Sequence, residues 1–162
     1  MLTIAELKRI HFLAELEDGM LEAFAPMVEA REYARDKVVF KEGDPADYLY
    51  MLGHGKILLN MVASEKVSVS VTAVDPGDTF GWSAILGRSH YSASAVCVES
   101  STVWSVRSRD LVELFHQDFE MGFRVMEHVA RALNDRLEKR TTQLFKTLLE
   151  HINMVCGLDQ AV

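Results

Sequence analysis

Between residues 31 and 107 the hydrophobic period of this chain is two, and glycine-bearing turns interrupt it at short intervals. That feature constrains the fold most. Alternation puts successive side chains on opposite faces of a strand, and strands must pair. The runs are 32–34, 37–40, 48–52, 56–63 and 67–74, then 91–98 and 101–107. Val67-Ser68-Val69-Ser70-Val71-Thr72 alternates strictly, as a half-solvated antiparallel strand does. Turns are predicted at Arg35-Asp36, Glu42-Gly43-Asp44-Pro45, Gly53-His54-Gly55, Ser64-Glu65-Lys66 and Glu99-Ser100. About eight short strands spaced this way predict a β-sandwich, barrel or jelly roll.

Both flanks read as helical. Over residues 3–29, Leu7, Ile10, His11, Phe12 and Leu13 form one apolar cluster. Glu17-Asp18-Gly19 marks a break, and Met20, Leu21, Phe24 and Met27-Val28 recur at helical spacing across Pro26. After residue 107, Ser108 is placed to cap a helix over 109–116 and Asp118 to cap a longer one over 119–152. In that last helix Met126, Ala130, Leu133, Leu137, Arg140, Leu144 and Thr147 follow a 4-3 spacing, with five of the seven apolar. This is the seam of a two-helix contact, and a parallel homodimer is the reading preferred over a helix that packs on its own barrel. Arg140 on the seam costs stability and can fix register.

The formal net charge of -7 argues against nucleic-acid binding by this chain alone, because neutralising phosphates takes a basic face. The long helix departs locally from that balance: Arg131, Arg136, Lys139, Arg140 and Lys146 fall within 131–146 against two acids. No apolar run is long enough to span a membrane, and the N-terminus lacks the basic-then-apolar order of a signal peptide. A cytoplasmic location is the expectation. Cys97 and Cys156 form no spacing motif, and Cys97 reads as a buried thiol. The six histidines show no paired ligand spacing, so no metal site is expected. No nucleophile–base pair, P-loop or catalytic carboxylate pair appears, so no enzymatic activity is expected.

One stretch carries more than framework. Pro76-Gly77-Asp78 ends a strand, Phe80-Gly81 leads into a helical turn over 83–86, and a strand begins near Tyr91. A short turn opened by glycine between strands presents backbone N–H groups suited to an anion. Together with "FKEGDPADYLYMLGHGKI", this "DPGDTFGWSAIL" stretch resembles the phosphate-binding cassette of the cyclic-nucleotide-binding domains, and the resemblance extends over residues 7–150. It implies an α+β fold for a single domain over 1–162. That fold is an antiparallel β-roll or jelly roll (a double-stranded β-helix) at 31–107, with N-terminal helices at 1–30 and C-terminal helices at 108–152. Gly43, Gly55 and Gly77 fall on turn glycines of the family.

In nucleotide-binding members an acid just after the cassette glycine accepts the ribose 2′-hydroxyl, and an Arg at the cassette's end pairs with the phosphate. Here Trp82 and Ser83 follow Gly81, and Tyr91 or Ser92 takes the place of the Arg. Losing two charge-assisted hydrogen bonds costs about 3–6 kcal/mol, or roughly a hundredfold to more than ten-thousandfold in affinity. Ordinary cAMP or cGMP binding is therefore disfavoured, and no cofactor is expected. Arg88 sits in the loop before the Arg position. Trp82 either fills the vacated pocket or lines one for a less polar ligand. The candidate pocket comprises Phe80, Gly81, Trp82, Ser83, Ala84, Tyr91, Ser92 and Ala93. By resemblance Arg136 of the long helix joins it over the pocket.

The chain reads as a regulatory, effector-sensing module, homodimeric through its long helix, with an unidentified small effector or protein partner. Two alternatives remain: a ligand-free dimerisation or docking scaffold, and the sensor half of a transcription regulator whose helix-turn-helix domain does not follow in this sequence.

Overall fold

Among the residues that the structure describes, 2–64 and 67–156 of a computed structural model, eight strands pair into two antiparallel sheets. They are β1 (Glu29–Tyr33), β2 (Val38–Phe40), β3 (Tyr48–His54), β4 (Ile57–Ser64), β5 (Val67–Val74), β6 (Thr79–Phe80), β7 (Ser94–Cys97) and β8 (Ser101–Arg107). One sheet runs β1-β8-β3-β6 and the other β2-β7-β4-β5. This is the α+β β-roll implied by the resemblance, with helices α1 (Ile4–Leu7) and α2 (Asp18–Phe24) before it and α3 (Ser108–Gln117) and α4 (Phe119–Cys156) after it. The chain divides into two units, Met1–Val125 and Met126–Val162.

Alternation along β3 and β8 sorts the first unit's apolar residues into two sets. Leu52, Phe80 and Val103 meet Phe40, Ile57, Leu59, Val74, Tyr91, Ala95 and Cys97 between the sheets. Leu49, Met51, Trp104 and Val106 point the other way and are also buried, and the flanking segments contribute Leu7, Ile10, Leu13, Leu21, Phe24, Leu111 and Met121, all fully buried. Each such aliphatic or aromatic side chain stabilises the fold by roughly 1.5–3 kcal/mol. Gly55, at φ 93°, closes the β3–β4 turn where any Cβ would stand 2.5 Å from the Ser100 carbonyl oxygen.

Four local expectations change. Residues 8–17 form turns rather than helix: the amides of Ile10, Leu13 and Leu16 donate to the carbonyls of Leu7, Ile10 and Leu13. These i→i+3 steps bury a residue every third position, which one helical face cannot do. The break expected at Gly19 falls earlier, and Gly19 lies inside α2. Strand β1 then starts at Glu29, two residues before the period change. Finally, Ser108 is not a cap. Strand β8 runs straight into α3, Arg107 takes the cap position without a side-chain hydrogen bond, and the Ser108 amide donates to the Asp47 carbonyl. Asp118 does cap α4, its carboxylate accepting from the Met121 amide at 2.9 Å.

The second unit is described as α4 from residue 126 to 156. Met126, Ala130, Leu137, Arg140 and Leu144 are exposed there and Leu133 is half-buried. Phe145, Leu148, Leu149 and Ile152 extend the exposed apolar surface.

Candidate ligand site

The cassette is built from two left-handed glycines and a short turn. Gly77 adopts φ 96° because the N-terminal segment crosses directly above it: an added Cβ would lie 2.9 Å from both the Arg9 carbonyl oxygen and His11 Nε2. The His11 amide donates to the Gly77 carbonyl, and His11 Nδ1 lies 3.2 Å from Asp78 Oδ1. The other oxygen of Asp78 accepts from the Asp75 amide, closing the turn. Strand β6 follows for two residues, and Gly81 (φ 77°) then turns the chain out of the sheet into a 3-10 turn, Trp82–Ala84. That turn starts one residue earlier than the spacing suggests, and β7 begins at Ser94 rather than near Tyr91.

Tyr91 explains the late start of β7. Its ring is turned into the roll, 4% exposed, and stacks on Phe40 with centroids 3.9 Å apart. Phe40 also stacks with Tyr50 and Phe80, so four rings fill this end of the space between the sheets. The Tyr91 hydroxyl donates to the Tyr48 carbonyl at 2.7 Å and accepts from the Tyr48 amide at 3.1 Å. Burial pushes the phenol of Tyr91 above its ordinary range, and burial with Tyr91 as neighbour pushes that of Tyr50 much further. Gly81 sits against this group: its missing Cβ would lie 3.2 Å from the Tyr48 carbonyl oxygen and 3.4 Å from the Tyr91 ring.

The structure thus brings Phe80, Gly81 and Tyr91 together, with Ala84 and Ala93 packed on the same core. Trp82 points elsewhere, half-buried and edge-on to Phe12 with centroids 6.1 Å apart. Ser83 is half-buried and its carbonyl accepts from the Arg88 amide, while Ser92 is exposed. Arg88 is the one Lys or Arg between residues 76 and 95, and it is exposed. Arg136 belongs to the second unit, where it is half-buried on α4. The sequence reading overlooked Tyr48, Tyr50 and Phe40. Their signal was available: Tyr48 and Tyr50 share one strand face, and Phe40 and Phe80 each end a strand, one in each sheet.

A β-roll with a glycine-framed 3-10 turn between β6 and β7 is the architecture of a domain of the cyclic-nucleotide-binding type. The comparisons agree. The family profile described as "Cyclic nucleotide-binding domain" matches residues 30–118, more than half of the chain, and the chain belongs to that family. It is 30% identical over 69% of its length to the cyclic AMP receptor protein of Thermus thermophilus, covering 48% of that protein. It is 25% identical over 85% of its length to a CRP-like cAMP-activated global transcriptional regulator of Mycobacterium tuberculosis, covering 60% of it. Among solved structures, a putative cyclic nucleotide-binding protein from Geobacter metallireducens superimposes with a TM-score of 0.74 at 29% identity, covering 85% of this chain and 99% of that one. The chain spans 23% to 60% of the length of such curated relatives. Among the described residues no helix is long and apolar enough to cross a membrane.

Proposed function

We propose that this domain is an effector-sensing regulatory module that pairs with a second copy through α4 and does not take cAMP in the usual way. The observation that carries the reading is the position of Tyr91. The side chain at the cassette's end is a phenol folded into the roll and bonded to Tyr48, so it offers no cation to a cyclic phosphate. Trp82, standing after Gly81, offers no carboxylate to a ribose. An effector would meet the cassette around Phe80–Ala84 and Tyr91–Ala93, and it would act by binding one arrangement of the C-terminal helices better than another. The exposed apolar positions from Met126 to Leu144 support a homodimer seam, Arg140 setting its register. The net charge of -7 supports a partner other than nucleic acid for this chain alone.

Two further readings keep a specific observation each. The stacked rings of Phe40, Tyr50, Phe80 and Tyr91 favour a ligand-free dimerising scaffold. The likeness to a cyclic AMP receptor and a cAMP-activated transcriptional regulator favours the sensor half of a transcription regulator. A thermal-shift screen with cyclic mono- and dinucleotides and other small anions separates sensor from scaffold. Stabilisation by one compound class supports a sensor and names its effector. A flat response to all of them favours the scaffold.

A further inference from the structure

Residues two apart on an antiparallel strand turn their backbone groups to the same edge. Tyr50 pairs with Phe80 of β6, so the N–H and C=O of Tyr48 face the position that residue 82 would occupy if β6 continued. Gly81 diverts the chain before it gets there. The Tyr91 hydroxyl occupies that position and serves both groups, donating to one and accepting from the other. A hydroxyl can do both from a single atom. The Tyr91 backbone is held by a different part of the molecule: its amide donates to Asp44 and its carbonyl accepts from Gly43. Between Gly81 and Tyr91, residues 86–90 are exposed, and the loop is tied down by the Arg88 amide on the Ser83 carbonyl and by the Ala46 amide on the Ser89 carbonyl.

Tyr48 also leads away from the cassette. Across the β3–β8 pair it faces Arg107, whose Nε donates to the Tyr48 hydroxyl at 3.0 Å and whose guanidinium lies 5.7 Å from the ring centroid. Arg107 is the cap residue of α3, and the first amide of α3 bonds to Asp47, the neighbour of Tyr48.

We propose that Tyr91 is an internal latch: its hydroxyl closes the cassette loop onto β3, and its release is transmitted through Tyr48, Asp47 and Arg107 to the first turn of α3. This rests on reading the cassette as an effector site, and it gives that site a means of control. An effector at the cassette works by opening or tightening the hydroxyl clamp.

Amide hydrogen exchange, followed residue by residue on the full chain without any effector, tests the latch. Tyr91→Phe removes the hydroxyl and keeps the ring. Phe40→Leu removes the stacking partner, keeps the hydroxyl and serves as the control for general loosening. The latch predicts that exchange at the Tyr48 and Ser108 amides accelerates tenfold or more in Tyr91→Phe relative to Phe40→Leu. An acceleration confined to residues 85–91, or equal in both variants, overturns it. Arg107→Met supplies an independent arm: Ser108 accelerates while Tyr48 stays protected, and no response at Ser108 overturns the relay. Because no ligand is present, a failed latch is distinguishable from a failed effector site, which the compound screen judges separately.

Discussion

The apolar face of α4 yields a prediction whose size follows from exposure. Leu137 is 64% exposed in the single chain, so most of its side chain leaves water when the seam closes. Complete burial of a leucine stabilises by about 1.5–3 kcal/mol, and the part still exposed accounts for roughly 1–2 kcal/mol of that. A two-fold interface uses each position twice, which makes roughly 2–4 kcal/mol per dimer. Alanine retains part of the apolar area, so Leu137→Ala is expected in the lower half of that range, a dimer roughly 30- to 200-fold weaker. Sedimentation velocity over a concentration series of the wild type, Leu137→Ala and the exposed-surface control Lys139→Ala measures this. The expected result is a leftward shift toward monomer in Leu137→Ala alone. A wild type that stays monomeric through the micromolar range, or a Leu137→Ala dimer as tight as the wild type, would refute the seam.

Other perturbations follow from single positions. Gly55→Ala forces a left-handed backbone on a Cβ that collides with the Ser100 carbonyl, and denaturant melts should show a loss of at least about 1–3 kcal/mol. Gly19→Ala, inside α2 and facing open space, should gain about 0.5–1 kcal/mol in the same assay. Trp82→Ala removes the edge contact with Phe12; it should cost about 0.5–1.5 kcal/mol beyond lost area and speed limited proteolysis within residues 8–17. Burial raises the phenol pKa values of Tyr50 and Tyr91 in the folded chain, so above about pH 10 the unfolded chain ionises first and binds fewer protons. Stability is therefore complete below about pH 10 and falls as pH climbs beyond it. Tyrosinate absorbance from these two residues should appear together with unfolding and not before.

Strand placement was legible where the period of two runs uninterrupted between turns. The 67–74 and 101–107 runs coincide with β5 and β8. It failed where a side chain overrides the alternation. Residues 91–93 read as strand, yet the Tyr91 hydroxyl holds its residue off the ladder, and β7 waits until Ser94. The N-terminal segment misled for a related reason: Leu7, Ile10, Leu13 and Leu16 repeat every three residues, a spacing that reads as a worn helix until its i→i+3 bonds are seen. Within the site, the lack of an acid after Gly81 and of an Arg at 91 or 92 could be read against the cassette framework. Where the two rings go could not. That depends on Phe12 and Phe40, which come from distant segments and reveal their role only when the chain is folded.

With Tyr91 bonded to Tyr48 and Trp82 against Phe12, we propose that this domain does not hold cAMP in the usual way. Isothermal titration of the full chain with cAMP, paired with a melting curve at millimolar nucleotide, tests it most directly. A ligand present at about a hundred times its Kd adds about 2.7 kcal/mol, which raises Tm by roughly 5–11 °C in a domain of this size. No saturable heat and no such rise are expected. Saturable micromolar binding with a Tm shift of that size would contradict it.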